Sequence, residues 1–76
     1  MAYIIYSETE FESIDGPIHK GDEINTIHGG KSDEMEVRQW LIGQYVLDGI
    51  DVSYRIVEDG KPVGRKKRIT QKQVFG

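Results

Sequence analysis

Gly30-Lys31-Ser32, just ahead of a helical pattern, is the tail of a phosphate-cradling loop of the form G-x-x-x-x-G-K-[ST]. Such a loop needs glycines so that backbone N–H groups can face the phosphates, a lysine for charge and a hydroxyl for magnesium. Here Asn25 stands where the first glycine belongs. Asp33, Glu34 and Glu36 crowd the helix start, where the phosphate would have to sit. Like charges there repel a nucleotide, so the stretch is expected to be a loop in which Ser32 or Asp33 caps the helix.

The remaining reactive side chains are equally unpromising for catalysis. His19, Asp22, Glu23 and His28 are the only grouping with metal-ligand character. A structural zinc site wants four protein ligands, and two histidines nine residues apart on uncertain elements do not supply a pattern for one. Paired carboxylates would need a pocket to shift their pKa values. Ser7, Ser13, Ser32 and Ser53 lack the surroundings of an activated nucleophile. The expectation is a protein that is not an enzyme, with no catalytic residues, no metal and no cofactor.

Charge is the more informative chemistry. Residues 1–38 carry nine acids against three bases, and residues 39–76 carry four acids against seven bases. Arg65, Lys66, Lys67 and Arg68 run consecutively, with Lys72 beyond. Four adjacent cations can neutralise phosphates, and Tyr54 on a neighbouring strand, placed opposite Arg65, adds a stacking surface. A sequence pI near 5.3 argues against a dedicated nucleic-acid binder. Pro62, Gly64 and a lysine/arginine run are also what an exposed edge strand carries against unwanted pairing. Conversely, Glu8, Glu10, Glu12, Asp33, Glu34 and Glu36 form an acidic set that can imitate a nucleic-acid backbone or meet a basic partner. The two halves can also neutralise each other internally.

These residues need elements to hold them. Ala2-Tyr3-Ile4-Ile5-Tyr6 reads as a central strand buried on both faces. Glu8 to Asp15 is either one helical turn or a loop pinned by Phe11 and Ile14, followed by a Gly16-Pro17 turn. Gly21-Asp22 interrupts Ile18 to Ile27 and suggests a tight hairpin. Residues 33–47 form the helix: Val37, Trp40, Leu41, Gln44, Tyr45 and Asp48 recur at i, i+3, i+4 spacing. Asp33 with Glu36 is a capping-box variant, and Glu34 to Arg38 is a favourable surface pair. Gly49 suits a left-handed C′ position with Ile50 folding back. Gly43 costs about 1 kcal/mol relative to alanine and leaves room for another backbone. Ile42 and Val46 fall opposite Val37, giving the helix a second apolar side for a partner or a second copy.

Ile50 to Ile69 is the clearest stretch. Ile50, Val52, Tyr54 and Ile56 alternate with more polar neighbours, and Asp59-Gly60 is a type I′ hairpin signal. A simple hairpin would set Glu58 against Lys61, Ile56 against Val63, Asp51 against Arg68 and Ile50 against Ile69. Thr70 to Gln73 is polar, and Val74-Phe75 is positioned to dock on the core.

Seventy-six residues without cysteine make one domain, spanning 1–76, with a small core and no disulfide or thiolate-metal support. Dimerisation is a natural way to add stability. Neither a long apolar run nor a secretion-type N-terminus is present, so a soluble cytoplasmic protein is expected. The expected fold is α+β, a small antiparallel β-sheet of about four strands packed against one α-helix. The expected role is that of a small regulator or inhibitor-type protein that binds another macromolecule, a protein in the leading reading. A nucleic-acid-binding module built on residues 65–72 is the alternative. Size and charge alone match an accessory protein of a phage or other mobile element.

Overall fold

The apolar run near the N-terminus forms strand β1 (Ala2–Ser7), and the computed structural model, which describes residues 1–76, places it inside a four-stranded antiparallel sheet. The other members are β4 (Glu23–His28), β5 (Val52–Glu58) and β6 (Lys61–Ile69), in the order β4-β1-β5-β6. β2 (Phe11–Ser13) and β3 (Gly16–Ile18) make a separate two-stranded ribbon. Helix α1 (Glu34–Gln44) covers one face of the sheet, and a short α2 (Gln71–Phe75) follows β6. The α+β architecture read from the sequence is therefore the observed one.

β1 is central, but its burial alternates rather than extending to both faces. Tyr3, Ile5 and Ser7 are buried on one face, Tyr3 and Ile5 in the core shared with α1, while Ala2, Ile4 and Tyr6 on the other face are half-buried. Only one face of the sheet is covered by a helix, so the period-two rule applies even to so apolar a run. Across the ladder Tyr3 faces Ile27 and Ile56, and Ile5 faces Asn25 and Tyr54. The core is completed by Val52, Ile69 and, from the helical side, Val37, Leu41 and Val46. Burying each such side chain contributes about 1.5–3 kcal/mol, so few can be lost from a core this small.

The helix is shorter than its sequence pattern. It ends at Gln44, Tyr45 leaves helical geometry at φ −125°, and a 3-10 turn carries Val46–Asp48. That break resets the rotation of the chain. Val46, which an uninterrupted helix would turn outward, is fully buried in the core, and Leu47 is exposed instead. Ile42 packs part-buried at the core margin. Trp40, expected inside, is 42% exposed at the helix edge. Gly49 does adopt the left-handed conformation at φ 90°, and Ile50 folds back with its N–H on the Tyr45 carbonyl at 2.9 Å.

The entry to the helix also differs. Neither Ser32 nor Asp33 caps α1 through its side chain, and no Asp33–Glu36 box forms. A 3-10 turn over Lys31–Asp33 precedes it, and the Asp33 carboxylate accepts the Gly30 N–H at 2.8 Å. Asp33 thus supplies the backward-reaching half of a capping box one turn earlier than expected.

The segment 8–22 was the least legible. Phe11 to Ile18 is a ribbon whose tip leaves Ile14 fully exposed. A turn does form at Lys20-Gly21, where Asp22 binds the His19 N–H through its carboxylate, but it makes no hairpin. The Gly21 N–H and the Asp22 carbonyl bond instead to Ser7, steering β4 onto β1.

The Asp59-Gly60 turn holds both residues at positive φ and pairs Glu58 with Lys61 and Ile56 with Val63, as the sequence indicates. Beyond that the register shifts: Tyr54 faces Lys67, Ser53 faces Arg68 and Val52 faces Ile69. β6 inserts extra residues opposite Arg55, at a bulge where Gly64 sits at φ 77°. The expected Asp51–Arg68 and Ile50–Ile69 pairs, and Tyr54 opposite Arg65, are thereby displaced by two positions. No helix is long and apolar enough to cross a membrane.

Candidate docking groove and the charged clusters around it

The four-stranded sheet has two free edges, and the sequence treats them differently. β6 carries Pro62, the Gly64 bulge and a run of exposed cations. All three are devices that discourage further strand pairing. β4 has no proline, glycine, lysine or arginine. Its one irregularity is a register shift near Ile24, which leaves Asn25–His28 as regular strand.

The direction of the backbone groups on β4 follows from its ladder. The Gly29 N–H bonds the Met1 carbonyl at 3.2 Å, in the same register that pairs Ile27 with Tyr3 and Asn25 with Ile5. In an antiparallel ladder alternate residues bond to the same neighbour, so Thr26 and His28 turn their N–H and C=O groups outward. The Thr26 N–H is met only by the adjacent Asn25 side-chain oxygen, at 2.8 Å.

Beside this edge lies a cleft of about 580 Å³. Its floor comes from the inner side of β4, Asn25 and Ile27, and its wall from Asp33, Glu36, Val37 and Trp40 at the start and middle of α1. Helical spacing puts those last four on one stripe facing the strand. Trp40 is braced edge-on by Tyr45 at 6.1 Å between ring centroids. The lining holds two carboxylates, an apolar centre and no lysine or arginine.

The other charged residues are largely engaged with one another. Glu34 accepts Lys67 Nζ at 2.7 Å and the Tyr54 hydroxyl at 2.5 Å. These two hydrogen bonds, that from Lys67 foremost, hold the Glu34 carboxyl below its usual pKa, and Glu34 in turn raises that of Lys67. Tyr54 also accepts a hydrogen bond from Arg38 Nη1 at 3.0 Å, so the expected Glu34–Arg38 pair is bridged by a phenol from the sheet. Burial, then the Glu34 contact, raises the Tyr54 pKa. Tyr3, its hydroxyl donated to the Gly30 carbonyl at 2.7 Å, is raised by burial and by the nearby Glu34 charge. On the opposite face, Glu8 accepts the Ser53 hydroxyl at 3.0 Å and lies 3.5 Å from Arg68. Acidic and basic halves of the chain thus pair internally at two places.

The acidic set named from the sequence is consequently scattered. Glu8 and Glu34 are bound to basic-strand residues on opposite sides of the sheet, Glu10 and Glu12 are exposed on and beside the β2–β3 ribbon, and Asp33 and Glu36 line the cleft. The basic set divides likewise. Lys67 turns to the helix and Arg68 to Glu8, Lys66 lies 3.8 Å from the centroid of the Tyr6 ring, and Arg65 and Lys72 are exposed. His19 pairs with Asp22 at 3.6 Å, while Glu23 and His28 occupy opposite ends of β4.

Ile27, Asn25 and Trp40 were not among the residues singled out from the sequence as a site. The absence of any edge-protecting residue in β4 was a usable signal, hidden by assigning the segment to a hairpin. No known protein family model, curated protein or solved structure matches this chain.

Proposed function

We propose that this protein is a small, non-enzymatic cytoplasmic regulator that acts by binding another protein. The observation that carries the reading is the cleft between β4 and α1: a concave recess with an apolar centre beside strand groups that have no partner strand. The fate of the titratable residues supports it. Glu34 is held toward its ionised form by the hydrogen bonds from Lys67 and Tyr54, the reverse of what a general acid needs. Glu8, Lys67 and Arg68 serve to join elements.

The test is cross-linking and affinity capture of the tagged chain in its natural host, followed by reconstitution with the purified candidate. A partner that binds the folded protein and not a Leu41→Asp unfolded control is the expected result. Recovery of the protein alone would replace this reading with a self-associating structural role.

A second reading rests on a separate observation. Lys66 over Tyr6, with Arg55 on the same sheet face, provides a cation and an aromatic ring suited to a nucleic-acid strand. That reading requires DNA or RNA affinity that falls steeply with salt and weakens in Lys66→Ala and Arg65→Ala. No binding at low ionic strength would end it.

A further inference from the structure

We infer that the β4–α1 cleft receives an extended segment of a partner protein, added as a fifth strand on β4, whose recognition element is an apolar residue with lysine or arginine two positions away. This inference rests on the protein-binding reading above and specifies its partner. The backbone half of the argument is the outward presentation of Thr26 and His28 on the one edge of the four-stranded sheet that carries no proline, glycine, lysine or arginine. An added strand would satisfy these groups, and a partner carbonyl would take over the Thr26 N–H from the Asn25 side chain.

The side-chain half follows from what the cleft presents. In an extended strand, residues two apart point to the same face, about 6.7 Å from each other. One inward side chain of the guest meets Ile27, Val37 and the exposed part of Trp40. Its neighbour on the same face, two residues along, meets Asp33 and Glu36 nearer the start of the helix. The first position is apolar and the second, facing two carboxylates with no base among them, takes a cation. Asp33 is partly occupied by the Gly30 N–H, so Glu36, which is exposed and makes no ion pair within the chain, dominates the choice.

The β6 edge of a second copy has the right charge but the wrong backbone, because Pro62 and the Gly64 bulge interrupt it. A partner of different sequence fits better than self-pairing.

Selection of a displayed library of random linear peptides against the purified protein tests the inference. Enriched peptides are expected to share an apolar-x-Lys/Arg pattern and to shift the fluorescence of Trp40. Their affinity should fall roughly tenfold or more in Thr26→Pro, which blocks strand addition without removing a ladder bond, and in Trp40→Ala. Glu36→Lys should reselect peptides with Asp or Glu at the second position, a change of preference that loss of folding cannot mimic. Failure of any pattern to enrich, or enrichment indifferent to all three substitutions, would overturn the inference. Concentration-dependent dimerisation abolished by Thr26→Pro would do so too, by making a second copy the occupant. If a host partner is captured whose binding ignores these variants, the cleft assignment fails while the protein-binding reading stands.

Discussion

Tyr54 in the sheet donates its hydroxyl to Glu34 at the first turn of α1 across 2.5 Å, and this contact fixes the helix over the sheet. Tyr54 is fully buried, and Arg38 approaches both its hydroxyl, which accepts from Nη1 at 3.0 Å, and its ring, with the guanidinium 5.7 Å from the centroid. Tyr54→Phe keeps the packing and removes the shared oxygen. A loss of about 1–2 kcal/mol in unfolding free energy is expected from urea titration, since Glu34 retains Lys67. A change within error would show the contact to be energetically idle.

The same cluster imposes a pH dependence. Hydrogen bonds from Lys67 and Tyr54 set the Glu34 pKa in the folded state below the ordinary 4.5. A carboxyl depressed by folding stabilises the native state above its unfolded pKa, and that contribution disappears as pH falls through the folded value. Thermal unfolding temperature should therefore drop on acidification below about 4.5, and Glu34→Gln should flatten that slope. At the alkaline end, Lys67 and Tyr54 are both raised, so their contribution persists at neutral pH and is lost as pH climbs past their folded values.

Two glycines should respond to alanine in opposite directions. Gly43 lies in the helix with nothing within 4 Å of an added Cβ, so no other part of the folded chain uses the space its sequence position suggested. Gly43→Ala is expected to stabilise by about 1 kcal/mol. Gly64 has equally open surroundings but sits at φ 77°, where a side chain is strained. Gly64→Ala should cost about 1–2 kcal/mol and is read by the same denaturant midpoint.

The helix break at Tyr45 is tested by its two sequels. Val46→Ala empties a fully buried position and should cost about 2 kcal/mol. Leu47→Ala, at a residue 54% exposed, should stay within about 0.5 kcal/mol of wild type. An uninterrupted helix would reverse that order.

What the sequence disclosed was local and periodic: the alternation of Val52, Tyr54 and Ile56, the Asp59-Gly60 turn, the Gly49 helix stop and the central place of β1. What it concealed depended on irregularities that leave no periodic trace. Extra residues at Gly64 moved Arg68 from Asp51 to Ser53, and one non-helical residue, Tyr45, carried Val46 from the outside to the core. The acidic and basic residues were identifiable as partners in kind, but whether Glu34 would meet Arg38 or Lys67 was decided by the shifted register. The cleft was hidden for another reason: it lies between β4 and α1, and local patterning says nothing about which strand ends up at the rim of a sheet.

β1 is made first yet lies between two strands that arrive later, with Tyr3 facing Ile56 from far along the chain. During synthesis β1 and α1 must wait for the strand carrying Val52, Tyr54 and Ile56, beside which β1 pairs and with which α1 shares the core. The sheet therefore closes only when the chain's two ends meet, the kind of distant pairing that slows folding relative to a fold built from neighbouring segments.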